Sequence, residues 1–323
     1  MNTYDAIIAG GGIIGASLAL ELANRKLSVL ILDRQDPGQE ASWAAAGMLG
    51  PESDSPDELA VVPLGKLSLA IYPEFIATVE TASGLHAEFR HDGALRIFFG
   101  PNGEKERDRV VGVHRKSGLA SQTISLTEAR ATEPAISEHA TAAAWLPYEC
   151  SVNPRALTRA VLAACANRGV EIRAGVAVEQ VLERDGRWEG VVAGGANLQA
   201  KHFVLAAGCF SAGVGGMKKY APTSPVRGQI VSLGAVQGAP KLILRSDRGY
   251  VVPRIDGRSI GGSTSENVGF EKRVTPEGVQ QILAAATELA PSLSNAEITD
   301  SWSGLRPATP DHLPILGPTD VEG

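Results

Sequence analysis

Three glycines near the amino terminus have the spacing of a dinucleotide-binding turn. Gly10, Gly12 and Gly15 match the pattern G-x-G-x-x-G. In that pattern the first glycine permits a tight turn, the second lets the backbone approach a pyrophosphate, and the third lets a helix pack closely on a sheet. The N–H groups and the positive dipole end of the helix then face the pyrophosphate, so Ile13 and Ile14 join the predicted site.

Asp33 follows at the position where such a site needs an acid. It ends the apolar run 28–32 and lies roughly 20 residues after Gly15, as that fingerprint requires. A carboxylate there accepts a hydrogen bond from a ribose 2′-hydroxyl and disfavours a 2′-phosphate, and we group the neighbouring Arg34 with it. A glycine-rich turn alone also occurs as a purely structural feature, and the full combination favours a dinucleotide. It does not separate FAD from NAD.

Small residues in three further segments would let a long cofactor contact the backbone. The first segment follows the second strand, and an ordinary tight helix start is the alternative for it. The second is a predicted strand similar to the one that lies beside the adenine in flavoproteins with two dinucleotide-binding domains. The third is the end of an apolar strand, residues 203–206. The candidate residues are Ser42, Ala45, Ala46, Gly47 and Met48 in the first segment, Val178 in the second, and Ala207 and Gly208 in the third.

Apolar periodicity and turn residues predict the elements that must position these groups. Buried parallel strands are predicted at residues 4–9 and 28–32, with a helix at 16–24 between them. Two more helices are predicted, one beginning after the cap Asn153 and one over residues 275–289. One predicted hairpin is residues 86–100, with a turn at Asp92-Gly93. Residues 169–195 are predicted to form a strand and then a hairpin that turns at Asp185-Gly186, and residues 241–265 a hairpin that turns at Asp256-Gly257.

Bulk composition excludes several classes of protein. The net charge of −6 argues against a nucleic-acid partner, which requires a basic face. No uninterrupted apolar run reaches the ~18 residues of a membrane span. The 3 cysteines and 6 histidines have no disulfide-framework or metal-ligand spacing, so we expect free thiols, no metal and a cytoplasmic location. The length of 323 residues suggests about two domains.

Six segments in order resemble the FAD-dependent D-amino acid oxidase family, and most of all its bacterial glycine oxidase branch, which is linked to thiazole synthesis for thiamine. The likeness runs along essentially the whole chain. Each segment alone is modest evidence, whereas the ordered set is specific for the family and less so for the substrate. The segments are residues 10–15, "SWAAAGMLG", "VNPRALTRA", "VLAAGCFSAGV", "SDRGYVVPR" and "WSGLRPATPDHLPILG".

The resemblance implies an α/β fold with two interleaved domains. One is a Rossmann-like FAD-binding domain of the glutathione-reductase type, and the other is an α+β substrate domain built on an antiparallel sheet. We expect the FAD-binding domain to comprise residues 1–83, 146–221 and 301–323. We expect residues 84–145 and 222–300 to form the substrate domain.

The resemblance also implies the residues that bind substrate. In this family the arginine of "GLRP", here Arg306, binds the substrate carboxylate with two parallel hydrogen bonds. From the residues alone, an ion pair with Asp311 or Asp300 is the alternative. Tyr250 matches the tyrosine whose hydroxyl adds a bond to the same carboxylate, and a tyrosine packed on a sheet face is its alternative. We expect Arg306 and Tyr250 to form the catalytic pair.

Other residues near Tyr250 are weaker candidates. For Arg248 and Arg254 we expect solvent exposure or surface ion pairs. Ser265 falls near the position where related oxidases place a pocket-wall residue. Nothing around Cys150 indicates a covalent flavin link, so we expect FAD to bind non-covalently.

The implied reaction is the oxidative deamination of a small amino acid such as glycine, sarcosine or a small D-amino acid. Hydride passes to the flavin, and the products are a 2-oxo acid, ammonia or an amine, and hydrogen peroxide from dioxygen. Positioning supplies most of the catalysis, so no general base is proposed. A same-fold dehydrogenase that passes electrons to a quinone or carrier, and a non-catalytic FAD-binding protein, remain open. An NAD dehydrogenase fits the motifs least, and a homo-oligomer is left open.

Relatives in this family continue past "LPILG" with a further strand and a glycine-rich turn into a final helix, whereas the sequence given ends at Gly323. Three explanations are a shortened form of a longer protein, a strand supplied by another chain, and a natural remnant. The first is preferred. If the shortening exists in solution, we expect weak FAD binding, and an FAD-to-protein ratio near one after desalting would contradict that expectation.

Overall fold

The computed structural model describes residues 4–51 and 56–321. Within these ranges the α-helices are α1 (Ile13–Asn24), α2 (Ala41–Ala44), α3 (Val62–Ser83), α4 (Gly103–Lys116), α5 (Leu126–Thr132), α6 (Pro154–Asn167) and α7 (Pro276–Leu289). The strands are β1 (Tyr4–Ala9), β2 (Val29–Leu32), β3 (Met48–Leu49), β4 (Ala94–Phe99), β5 (Gln122–Ile124), β6 (Ala140–Leu146), β7 (Cys150–Ser151), β8 (Glu171–Arg173), β9 (Val178–Arg184), β10 (Arg187–Ala193), β11 (Ala196–Leu198), β12 (Ala200–Leu205), β13 (Ser224–Leu233), β14 (Ile243–Arg245), β15 (Tyr250–Pro253), β16 (Ser259–Gly262) and β17 (Ile298–Ala308).

A four-stranded parallel sheet, in the order β12-β1-β2-β8, carries the glycine turn. Its central strands are apolar and buried on both faces, as expected for a parallel sheet covered by other layers. The two predicted strands are confirmed to within one residue. The helix begins at Ile13, three residues before its predicted start, because the chain enters helical geometry directly after Gly12.

Helix α6 packs beside α1 and α3 on this sheet and begins as predicted. The side-chain oxygen of Asn153 accepts hydrogen bonds from the N–H groups of Arg155 and Ala156, both at 3.2 Å. Pro154 is the first helical residue, where its missing N–H costs nothing. Local capping chemistry therefore sets this boundary. Helix α7 begins in the same way, with Thr275 accepting from Gly278 N–H at 3.2 Å.

An eight-stranded, mostly antiparallel sheet forms the second body of the molecule, in the order β17-β13-β16-β15-β14-β4-β6-β5. The hairpin predicted at residues 86–100 is wrong. Strand β4 pairs instead with β6 and, in parallel, with β14. Gly93 has a φ of +76° and lies against the Trp145 ring. The chain does turn there, but the strand that follows pairs with segments that are distant in the sequence. The other two hairpins, β9–β10 and β15–β16, form as predicted.

Strand β17 requires one correction to the expected division of the chain. Residues 301–308 were assigned to the FAD-binding domain, but they continue a strand that pairs along its length with β13 of the eight-stranded sheet. The pairing puts Arg306 opposite Val226 and Gly304 opposite Gly228. Arg306 is thus positioned by the antiparallel sheet. The rest of the division remains our proposal.

Two bulk features bear on the expectations from composition. Cys150, Cys165 and Cys209 are all buried and unpaired, as expected, and burial raises the pKa of Cys165 to about 12. One segment of the described chain, Leu59–Ser83, is long and apolar enough to cross a membrane by length and composition. A single helix of this kind is weak evidence, because core helices of other proteins pass the same test.

Candidate cofactor and substrate site

The turn between β1 and α1 has room only for glycine at two positions. A Cβ atom on Gly10, whose φ is +106°, would lie 2.3 Å from the Ala206 carbonyl oxygen. A Cβ atom on Gly15 would lie 2.0 Å from the Gly10 carbonyl oxygen. These contacts fold α1 tightly over the end of β1 and next to the end of β12. The turn therefore has the geometry that the glycine pattern predicts.

The amino terminus of α1 fits a pyrophosphate. No side chain caps the helix from Gly12, and a Cβ there would meet only the Ser42 hydroxyl oxygen, at 3.1 Å. The N–H of Ile13 donates to that same Ser42 oxygen at 2.9 Å, and Ile14 is 70% exposed. Because the remaining first-turn N–H groups have no partner within the helix, they are available to an anion.

Asp33 lies at the end of β2, where its carboxylate braces the turn. It accepts hydrogen bonds from the N–H of Gly11 at 2.8 Å and of Gln35 at 3.1 Å. Burial raises its pKa above the ordinary aspartate value. Its carbonyl oxygen accepts from Val176 N–H at 2.7 Å, which places the strand beginning at Val178 nearby. A ribose contact by Asp33 remains our prediction.

The Arg34 side chain contacts two neighbouring residues, Glu40 and Phe210. Its guanidinium donates to Glu40 at 2.6 Å and lies 3.4 Å from the centre of the Phe210 ring. Ala207 and Gly208 follow one residue after the end of β12, and a Cβ on Gly208 would meet nothing within 4 Å. That open space beside the glycine turn fits the predicted approach of a cofactor to the backbone.

Small residues in and after α2 are required partly because other parts of the protein pack closely against them. A Cβ on Gly47 would lie 2.0 Å from the Val152 carbonyl oxygen, and the Ala44 side chain occupies the space above Gly304. The Ala46 carbonyl oxygen accepts a hydrogen bond from Arg254, and Met48 pairs with Ser151. These contacts hold the segment across one face of the eight-stranded sheet. Cofactor contacts by Ser42, Ala45, Ala46, Gly47 and Met48 stay a prediction.

Arg306 and Tyr250 are brought together through Ser263. The Arg306 guanidinium donates to the Ser263 hydroxyl at 3.4 Å, and the Tyr250 hydroxyl interacts with the same serine. Burial raises the pKa of Tyr250, so its hydroxyl remains a protonated donor at neutral pH. Within residues 4–51 and 56–321, no carboxylate forms an ion pair with Arg306. The Asp300 and Asp311 alternatives are therefore not what the structure shows.

The side chains of Tyr250 and Arg306 lie directly against the backbone of two glycines. A Cβ on Gly262 would lie 2.5 Å from the Tyr250 hydroxyl oxygen, so the ring lies directly across that backbone. A Cβ on Gly228 would lie 3.2 Å from an Arg306 guanidinium nitrogen. Neither glycine nor Ser263 was singled out in the sequence, because cross-strand register decides their positions. The sequence did carry one signal for these positions, namely that glycines occur at strand positions that pair with each other, as Gly228 and Gly304 do.

A buried ion-pair network lies on the opposite face of β13 from Gly228 and Arg306. Glu266 accepts hydrogen bonds from Arg227, from Gln229 at 2.8 Å and from Thr264 at 2.5 Å. The hydrogen bond from Arg227 is the main cause that holds the pKa of Glu266 down to about 2. Only 4% of the Arg227 side chain is exposed. The network stiffens the strand that carries Gly228 beneath Arg306.

We expect Glu266→Gln to lower the free energy of unfolding by about 2–4 kcal/mol at pH 7, because it leaves a buried guanidinium poorly paired. The folded-state pKa of Glu266 is depressed, so its contribution is present above pH ~4.5 and is lost as pH falls through 2. Urea titrations of both proteins between pH 7 and pH 3 test this. Stability differing equally at all these pH values would contradict the assignment, and Glu277→Gln, at the exposed start of α7, is the matched control.

The weaker candidates fare differently. Arg248 forms an exposed pair with Glu288 at 2.9 Å, as expected. For Arg254 the expectation is wrong, because the side chain is half-buried and donates to the carbonyl oxygens of Ala46 at 2.6 Å and Val152 at 3.2 Å. Ser265 is exposed, and the nearby serine that approaches Arg306 is Ser263.

Known proteins resemble this chain over nearly its whole length. The family DAO, FAD dependent oxidoreductase, matches residues 5–323. The bifunctional protein ThiO/ThiG of Trichormus variabilis is 35% identical over 320 residues, covering 98% of this chain and 48% of that protein. Glycine oxidase of Geobacillus kaustophilus is 31% identical over 322 residues, covering 98% of this chain and 84% of that enzyme.

The structural comparison points the same way. The crystal structure of glycine oxidase from Geobacillus kaustophilus superposes with a TM-score of 0.92 at 28% identity, covering 100% of this chain and 87% of that one. The chain spans about half the length of the curated ThiO/ThiG relatives that it matches. With a family match over nearly all its residues, this chain belongs to the DAO family of FAD-dependent oxidoreductases.

Proposed function

We propose that this protein uses FAD to oxidise a small amino acid such as glycine, sarcosine or a small D-amino acid. The observation that carries the proposal is the Arg306 guanidinium, which has no carboxylate partner in the described chain and lies beside the Tyr250 and Ser263 hydroxyls. A guanidinium of this kind is suited to a substrate carboxylate, which it binds with two parallel hydrogen bonds. The names of the relatives, glycine oxidase and ThiO/ThiG, support this substrate class.

FAD would be held at the edge of the parallel sheet. The first-turn N–H groups of α1 would bind its pyrophosphate, and Asp33 would accept a hydrogen bond from the ribose of the adenosine half. The segment of small residues from Ser42 to Met48 runs from this edge of the parallel sheet to the face of the eight-stranded sheet that carries Arg306. When bound, the flavin supplies the two-electron acceptor for the substrate carbon–hydrogen bond.

The contribution of the protein is orientation. Arg306 and the Tyr250 hydroxyl would hold the substrate carboxylate from two sides, which fixes the direction in which the amine-bearing carbon points. Gly262 and Gly228 keep both side chains close to the sheet. Holding a reactant in one geometry contributes much of the barrier reduction when no covalent step by the protein is needed. Dioxygen is the proposed final electron acceptor.

An anaerobic titration tests the proposed function. The FAD-loaded protein is mixed without oxygen with glycine, sarcosine, D-alanine or D-proline, and the flavin absorbance is followed. We expect at least one of these to bleach the flavin, and readmitted oxygen to restore the colour and release hydrogen peroxide. No bleaching by any amino acid would overturn the proposal, whereas bleaching with little peroxide would indicate a dehydrogenase.

Tyr250→Phe should raise the KM for the amino acid about 5- to 20-fold, as expected for one lost hydrogen bond to a charged group. The ring lies across Gly262 and is retained, so the melting temperature should change little. Steady-state peroxide release measures the effect. An unchanged KM would show that the hydroxyl does not contact the substrate, and Tyr72→Phe, whose ring packs on Phe75 and Phe89, is the matched control.

A further inference from the structure

Apart from the Arg306 site, a cavity of about 370 Å³ lies between α6, the segment after β2 and the β15–β16 hairpin. Of the residues that the structure describes, four arginines and no carboxylate line it. Two tryptophans form part of its wall, and the remaining lining is uncharged and includes Ala45, which is also one of the predicted FAD contacts. The four arginines are Arg155, Arg159, Arg254 and Arg258, and we call this space the arginine cavity.

Arg155 is held in the cavity wall by two indole rings. Its guanidinium carbon lies 3.5 Å from the centre of the Trp43 ring and 4.2 Å from that of Trp302. One of its terminal nitrogens is buried and makes no hydrogen bond. Its ion pair with Asp300 is at the 4.0 Å limit. A buried donor without an acceptor costs free energy, so this group is poised to take an acceptor from a ligand.

The other three guanidiniums leave the cavity with excess positive charge. Arg258 has a close partner in Asp256, at 2.7 Å. Arg254 donates hydrogen bonds to the backbone carbonyl oxygens of Val152 and Ala46. Burial lowers its pKa to about 10, attraction to Glu88 and Asp256 opposes that shift, and repulsion from Arg258 and Arg155 adds to it. Arg159 is exposed at the rim, and in the described chain no carboxylate pairs with it. Among the described residues, only Arg258 has a carboxylate in close contact, while Asp300 and Glu88 compensate Arg155 and Arg254 from a greater distance.

The cavity is separate from the Arg306 site, although both lie on the same strand. Trp302, Gly304 and Arg306 face the same side of β17, since side chains two apart share a face. Ala44 covers Gly304, and its carbonyl oxygen accepts from the Trp302 indole N–H at 2.9 Å. The segment through Ala44 therefore crosses the strand between the two places.

We propose that the arginine cavity binds a phosphate monoester. A phosphate monoester carries about −1.5 to −2 charges at pH 7 and accepts hydrogen bonds in several directions, which suits convergent guanidiniums better than a planar monocarboxylate. The indole faces of Trp43 and Trp302 add an apolar side to the space. The ligand is therefore a small phosphorylated molecule, bound at a distance from the amino acid and in addition to FAD.

Calorimetric titration of the FAD-saturated protein with inorganic phosphate tests the proposal at constant ionic strength. Excess FAD in both solutions keeps the dinucleotide site filled, so phosphate cannot report that site. We expect submillimolar binding and a change in tryptophan fluorescence, because 2 of the 4 tryptophans line the cavity. Acetate should bind at least ~10-fold more weakly, because it carries a single charge.

Two variants connect the binding to the cavity. Arg159→Gln, at the exposed rim, should weaken phosphate binding about 5-fold, and Arg258→Gln about 10-fold or more. Arg109→Gln on α4, which also removes one surface arginine charge, should leave binding unchanged. Flavin bleaching by an amino acid should be the same in Arg159→Gln as in the wild type. Failure of the phosphate proposal and failure of the proposed function are therefore separately visible.

Three results would overturn the proposal. The first is phosphate binding weaker than ~10 mM. The second is an affinity that neither arginine variant changes, which would place the phosphate elsewhere. The third is citrate binding more tightly than phosphate, which would assign the cavity to a polycarboxylate.

Discussion

Replacing Arg306 with alanine is expected to raise the KM for the amino acid substrate about 100-fold. The variant removes a guanidinium that has no other carboxylate partner in the described chain, so its effect falls on substrate binding. Truncating one partner of a buried, hydrogen-bonded charge pair costs about 2–5 kcal/mol, and the exposed Arg306 guanidinium meets that condition once substrate and FAD cover it; 100-fold corresponds to about 2.7 kcal/mol. Steady-state peroxide release at several amino acid concentrations measures the change.

Two controls accompany this variant. Arg306→Lys keeps the charge but loses the fork of parallel donors, so its KM should lie between those of the wild type and the alanine variant. Arg273→Ala removes a surface arginine whose side chain is 69% exposed and paired with Glu271, and it should leave KM unchanged. Arg306 is itself exposed, so folding should be little affected. A KM for Arg306→Ala within twofold of the wild type would refute the assigned role.

Gly15→Ala is expected to weaken FAD binding at least ~10-fold and to lower the free energy of unfolding by about 1–3 kcal/mol. The new methyl group would lie 2.0 Å from the Gly10 carbonyl oxygen, which is backbone and cannot rotate aside. Helix α1 must therefore move away from β1, and its first-turn N–H groups move with it. Fluorescence titration with FAD and urea unfolding measure the two effects.

Gly112→Ala separates this effect from the general consequence of replacing a glycine in a helix. Gly112 lies within α4, and a Cβ there would meet nothing within 4 Å. That variant should bind FAD normally and gain about 0.5–1 kcal/mol in stability, because alanine is the better helix former. If Gly15→Ala retained the wild-type FAD affinity, the glycine turn would not be the pyrophosphate site.

Features that depend on neighbours along the chain could be predicted from the amino-acid sequence. The strand, glycine turn and helix from Tyr4 to Asn24 follow from local sterics and periodicity. The start of α6 follows from Asn153 and Pro154, and the start of α7 from Thr275. Each is specified by side chains within a few residues of the backbone groups that they satisfy. The motifs of the DAO family were recognisable for the same reason.

Contacts between segments that are distant along the chain could not be predicted, because they depend on the packing of the whole fold. Residues 86–100 carry a local turn signal, yet β4 finds its partners in β6 and β14, since buried strand pairing outweighs a turn dipeptide. The register of β17 on β13 sets Arg306 above Gly228, and that of β15 on β16 sets Tyr250 across Gly262. Cross-strand register is a property of pairs of strands, so no single segment encodes it.

The arginine cavity has the same origin. Arg155 belongs to a helix, Arg254 and Arg258 to a hairpin loop, and Trp302 to an edge strand. In the sequence each of them is an ordinary surface or core residue of its own element. Their convergence arises because α2 packs against both α6 and β17, and so brings residues of the two sheet layers together. Charge that is spread along the chain becomes concentrated only when those layers meet.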